Sequence, residues 1–124
     1  MAKTSRQPAW LSQVETDNFA AAKSYLSLIY TPSKSTKLVA ALRIAKFAEF
    51  KAKDIFRASQ LSLLGISNSH VEKNRKKIRE GTPLSPILLV RSKEHGKVVV
   101  TNGYHSLCAV YRYDEDAVIS CKIV

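Results

Sequence analysis

Between Val98 and Tyr111 the chain reads VVVTNGYHSLCAVY, and five consecutive positions there, Asn102, Gly103, Tyr104, His105 and Ser106, carry groups that could surround an anion. Asn-Gly between apolar runs is the strongest short-range hairpin signal, because both residues tolerate positive φ. A hairpin, however, needs a second alternating strand after the turn. Tyr104, Leu107, Cys108 and Tyr111 follow instead at i, i+3, i+4 and i+7, which is helical spacing. The stretch therefore reads as strand, glycine turn and helix. Such a helix start presents unpaired backbone N–H groups, and these attract phosphate. The N–H groups of Tyr104, His105 and Ser106, the His105 ring and the Ser106 hydroxyl form the expected site, with Asn102 and Gly103 shaping the turn. The plain alternative is that Asn102 caps the helix and water fills the rest.

Charge supplies a second candidate feature. The chain carries 20 Lys and Arg against 10 Asp and Glu, and residues 31–81 hold +8 of the +10 net charge. Within that segment Lys73, Arg75, Lys76, Lys77 and Arg79 form a basic patch on one expected helix. A field of this sign draws in nucleotides, nucleic acid or an acidic protein surface. The bland reading is a solvated helix face.

Composition limits the remaining classes. At 124 residues, 45% hydrophobic and 24% charged, the chain reads as one globular domain, and its apolar runs are too short for a membrane span. MAKTSRQPAWLSQ has Lys3 and Arg6 but no apolar core behind them, so no secretory signal is expected and a cytoplasmic location is. Cys108 and Cys121 lack CxxC spacing, and His70, His95 and His105 fall on separate elements, so no structural metal is expected. His70 and His95 are expected to face solvent, and Trp10 to anchor the N-terminal arm.

The elements that must position these groups follow from periodicity. DNFAAAKSYLSLIY predicts a helix over 17–30 with Phe19, Ala22, Leu26 and Ile29 inward, and Pro32 breaks it. A second helix is expected over 33–47, with Leu38, Ala41, Leu42 and Ala45 on one face. AEFKAKDI alternates as a half-buried strand with Ala48, Phe50 and Ala52 inward, and a short helix then leads to a loop around Gly65. Ser69 to Glu72 fits a capping box for a helix whose inner face is Val71, Asn74, Arg75 and Ile78, closed by Gly81. SPILLVR and VVVTN form an antiparallel strand pair through SKEHGK, and VISCKIV closes the sheet after the helix over 104–113. This order predicts an α+β (mixed α/β) domain, a small mixed sheet flanked by helices, with an N-terminal helical hairpin as an arm over 1–46 and a core over 47–124.

VEKNRKKIREG followed by TPLSPILLV, the strand pair leading to NGYHSLCAVY, and the terminal VISCKIV resemble the ParB/sulfiredoxin superfamily over roughly residues 47–124. ParB-type turns read GERR..A and sulfiredoxin turns GGCHR..A, and Gly103, His105 and Ala109 match the latter spacing. The resemblance implies a site for ATP or CTP with Mg2+ at this turn, and nucleotide hydrolysis or phosphoryl transfer as its chemistry. Two departures matter. Tyr104 stands where sulfiredoxin has its nucleophilic cysteine, and a phenol with an ordinary pKa of about 10 does not replace a thiolate. Ser106 stands where both relatives have arginine, which removes a bidentate phosphate clamp and leaves Lys73, Lys76 and Lys77 as substitutes.

Two readings follow. In the first, the turn binds a nucleotide, with Asp54 or Glu72 as the acid for Mg2+ or base work. In the second, the chain is a non-catalytic module for nucleic acid or an acidic protein, with the basic patch on phosphates and Tyr104, Tyr111 and Tyr113 available for stacking.

Overall fold

An unbroken apolar run such as Ile87-Leu88-Leu89-Val90 is stable as a strand when both of its faces are covered. A computed structural model, which describes residues 7–62 and 68–124, places this run in that setting. Lys3, Arg6 and the loop expected around Gly65 lie outside the described residues. In chain order the elements are α1 (Thr16–Leu26), α2 (Pro32–Ile44), β1 (Phe47–Lys51), α3 (Ala52–Ser59), α4 (Ser69–Glu80), β2 (Ile87–Ser92), β3 (Lys97–Asn102), α5 (Tyr104–Tyr113) and β4 (Val118–Ile123). They make a mixed α+β fold around one four-stranded sheet of order β1-β4-β2-β3. The β2–β3 and β1–β4 pairs are antiparallel, while β2 and β4 run parallel.

The alternation of β2 divides the core in two. Ile87 and Leu89 face α3, α4 and α5 with Val71, Ile78, Leu107, Val110 and Ile119. Leu88 and Val90 face α1 and α2 with Phe19, Ala22, Leu26, Val39 and Leu42. Cys108 and Cys121 are free and buried, and burial pushes the Cys121 thiol up to about 11. Among the described residues no helix is long and apolar enough to cross a membrane.

Several expected boundaries and faces move. The first helix ends at Leu26, and Ile29 and Tyr30 sit in turns whose N–H groups bond to the Leu26 carbonyl. The second helix starts at Pro32, capped by Thr31, and stops at Ile44, so Phe47 belongs to β1; its buried face is Ser35, Val39 and Leu42. The third expected element is shorter and more exposed than its alternation suggests. β1 is an edge strand paired only with β4, Phe50 is 39% exposed, and Ala52 is the first residue of α3 instead. The capping box is replaced by Asn68, whose Oδ1 accepts from the N–H groups of His70 and Val71 at 3.0 and 3.2 Å. Glu72 turns away to Arg75 and Arg79.

The N-terminal segment is tied to the sheet at both ends. Leu11 donates to the Leu84 carbonyl and Leu84 to that of Ala9, both at 2.8 Å, beside the half-buried Trp10. At the far end the buried Lys122 of β4 donates its ammonium to the Arg43 carbonyl in the last turn of α2 at 2.9 Å, where a helix end favours a cation. Leu42→Ala removes a fully buried contact between α2 and the sheet. It is expected to cost about 2–5 kcal/mol in urea unfolding while the protein still unfolds in one transition.

Candidate functional site

The strand-to-helix turn is built on a close approach of backbone to side chain. Thr101 near the end of β3 donates its hydroxyl to the Leu88 carbonyl at 3.0 Å, and a register shift at Leu88/Leu89 marks the same place. Gly103 then takes φ +100, and a Cβ built on it would lie 2.8 Å from Ile87 Cγ1. Only glycine fits here. Its carbonyl accepts from the Leu107 N–H at 2.9 Å, so α5 begins at once. Asn102 is the last residue of β3 and not the cap, and no side chain caps α5. The N–H groups of Tyr104, His105 and Ser106 thus have no partner within the helix.

These groups open into a polar cleft of about 280 Å3. All five expected residues, Asn102 to Ser106, line it. Facing them from α4 are His70, Lys73, Asn74 and Lys77, and from the N-terminal region and the approach to β2 come Glu15, Asn18 and Ser85. Helix α4 contributes because its residues 70, 73, 74 and 77 share one face at i, i+3, i+4 and i+7. Ser85 is fixed by accepting from the Glu15 N–H at 3.1 Å and from Asn18 Nδ2 at 2.8 Å.

The basic patch is split by the helix. Lys73 and Lys77 reach the cleft, and neither has an ion-pair partner among the described residues. Arg75 and Arg79 are both held by Glu72 at 3.3 Å, and Lys76 is exposed and does not line the cleft. Neither acid expected for Mg2+ or base work is at the cleft: Asp54 pairs with Arg57 at 3.6 Å, and Glu72 pairs with the two arginines. The carboxylate that does line it is Glu15. The tyrosines expected to stack on bases are packed against the core, with Tyr111 edge-on to Phe56 at 4.9 Å.

Two side chains at the turn have shifted pKa values. His105 lies 4.9 Å from His70 between ring centroids, so His70, exposed in the capped first turn of α4 as expected, also forms a wall of the site. Burial, and then the neighbouring His70, hold the His105 pKa below the ordinary 6.5, so its ring is neutral at pH 7. Burial and Cys108 raise the Tyr104 phenol, whose hydroxyl donates to the Ser62 carbonyl. The phenol is therefore spent on a structural bond. His95 is likewise engaged: its Nδ1 lies 2.5 Å from Ser92 Oγ, and its ring meets Tyr30 edge-on at 5.8 Å.

Sequence reasoning found the turn and two lysines but missed His70, Asn74, Ser85, Asn18 and Glu15. The α4 residues had a readable signal in their shared helical face. The other three had none, since they arrive only through the bonds of Leu84 and Ser85 to the N-terminal segment. Comparison of the chain with protein-family models, with curated proteins and with solved structures gives no match.

The sign of the His105 shift gives a pH dependence. A depressed folded pKa means the unfolded chain takes up the proton first, so this contribution to stability is intact above pH 6.5 and is lost as the pH falls below it. In phosphate-free buffer, unfolding free energy should therefore decline on acidification below pH 6.5, and His105→Gln should flatten that decline. The turn gives a second test. Gly96 has φ +63 with nothing within 4 Å of an added Cβ, whereas Gly103 meets Ile87. Gly96→Ala should cost about 1 kcal/mol and Gly103→Ala about 2–4 kcal/mol in denaturant titration.

Proposed function

We propose that this chain is a binding domain for a phosphate-bearing ligand, of which a nucleotide is the class we favour, held at the Gly103-Tyr104-His105 turn. One observation carries the reading: the N–H groups at the start of α5, two lysines without an ion-pair partner among the described residues and two histidines all line a single open cleft. Backbone N–H groups and ammonium groups are the donors that meet phosphate oxygens elsewhere. The sequence resemblance to ParB/sulfiredoxin domains points to the same turn. Lys73 and Lys77 answer the loss of arginine at Ser106 by bringing two point charges from α4. The setting that fits is the cytoplasm, where Cys108 and Cys121 stay reduced.

The nucleic-acid reading draws less support. Its arginines share the one carboxylate of Glu72, and Tyr111 and Tyr113 pack against the core, which leaves Tyr104 as the one ring of the three at the cleft.

Thermal unfolding with ATP, ADP, CTP and GTP, each with and without Mg2+, tests the proposal. At about a hundred times its dissociation constant a ligand adds about 2.7 kcal/mol and should raise Tm by about 5–15 °C. The shift should vanish in the Lys73→Glu/Lys77→Glu variant and shrink in His105→Ala. No shift with any nucleotide, at low salt and near neutral pH, overturns the reading.

A further inference from the structure

The cleft contains groups that a phosphate does not want. At neutral pH phosphate oxygens accept hydrogen bonds, so a carboxylate or an amide carbonyl beside them repels. Yet Glu15 lines the same cleft as Lys73, Lys77 and His105, and Asn18 and Ser85 stand with it in one bonded cluster. Glu15 is the N-cap residue of α1, but its side chain makes no cap bond, and it has no ion-pair partner among the described residues. Its carboxylate is thus free of any structural duty there. Ser85 Oγ accepts two bonds and keeps its own proton, and Asn18 spends one amide hydrogen on Ser85 and keeps its carbonyl oxygen. Acceptors of this kind, with a hydroxyl among them, suit a partner rich in O–H groups.

Size and polarity narrow the partner further. The cleft, at about 280 Å3, lies just below the size of most ligand pockets, which run from about 300 to 1,000 Å3. Its walls are polar apart from Leu84 and the Tyr104 ring, and that ring's hydroxyl is tied to Ser62. A nucleobase seeks an apolar or aromatic slot, and apart from Leu84 and the Tyr104, His70 and His105 rings these walls present polar groups.

From this we infer that the cleft reads the sugar-phosphate moiety of its ligand, with the phosphate on Lys73, Lys77 and the α5 N–H groups and the hydroxyls on Glu15, Asn18 and Ser85, and leaves any base outside. The inference rests on the phosphate reading above and adds to it a specificity set drawn from the N-terminal segment. A free sugar phosphate and a nucleotide share this chemistry.

Calorimetric titration of the intact chain with inorganic phosphate, ribose 5-phosphate, AMP and CMP separates the outcomes. Ribose 5-phosphate should bind about tenfold tighter than inorganic phosphate, the equivalent of one or two net hydrogen bonds. AMP and CMP should fall within about threefold of ribose 5-phosphate and of each other. In Glu15→Ala, ribose 5-phosphate should weaken about tenfold while inorganic phosphate binds as well or better, because a repelling charge has gone. A merely structural role for Glu15 would weaken both. Equal affinity for inorganic phosphate and ribose 5-phosphate overturns the inference and leaves the phosphate reading standing, as does an AMP or CMP that binds at least about tenfold tighter than ribose 5-phosphate. No binding of any of the four removes both.

Discussion

Gly103 lying against Ile87 is the constraint on which the rest of the site depends. With φ +100 and no room for a Cβ, the chain leaves β3 and enters α5 within one residue, directly over the central strand of the sheet. The N–H groups of α5 therefore emerge at a fixed height above the approach to β2, beside Leu84 and Ser85. A longer connection would let the helix start drift. Here the position of the donors is set by the packing of Ile87, which is fully buried, and not by a loop.

The same central strand explains how distant parts of the chain come together. Because β2 is covered on both faces, α4 and α5 occupy one side and α1 and α2 the other, and both layers pass the segment leading into β2. The backbone bonds of Leu84 to Ala9 and Leu11 bring the start of α1 to that segment, and Ser85 then bonds Glu15 and Asn18. Glu15 and Asn18 thus furnish one wall of a cleft whose other walls lie more than fifty positions away in sequence. In this chain the core packing and the site share one strand, so a ligand that bridges α4, α5 and the N-terminal segment would also clamp the two layers together.

What was legible in the sequence follows from the range of the forces involved. The glycine turn, Gly81 at the end of α4, the β2–β3 pair and the closing strand are all set by neighbours a few residues apart, and each lies where its pattern places it. The α4 face was half legible. Of the expected inner face Val71, Asn74, Arg75 and Ile78, only Val71 and Ile78 enter the core; Arg75 pairs with Glu72, and Asn74 turns to the cleft with His70, Lys73 and Lys77. Polar residues at helical spacing carry no burial signal, so only the docked position of α5 reveals their role. The N-cap was misassigned to Ser69 for a related reason: Asn68 and Ser69 are both good caps, and Glu72 has two arginines as better partners than a backbone N–H. The edge position of β1, which exposes Phe50, depends on the strand order and had no local trace.

Charge shows the same difference between a segment and a surface. The +8 carried by residues 31–81 reads as one basic region along the chain, but in the fold it is divided. Lys53 is drawn to Asp116 at 2.7 Å, which raises its pKa, Lys34 lies 3.3 Å from Glu94, and Arg75 and Arg79 share Glu72. Exposed pairs of this sort add little to stability. Their effect is to subtract charge locally, so that Lys73 and Lys77, without an ion-pair partner among the described residues, stand out beside two arginines that share one carboxylate. The net field of the whole chain still draws anions in from a distance, within the reach that salt allows. Under the proposed reading, such an anion would stop at Lys73, Lys77 and the open end of α5, and Glu15 would set which way round it lies.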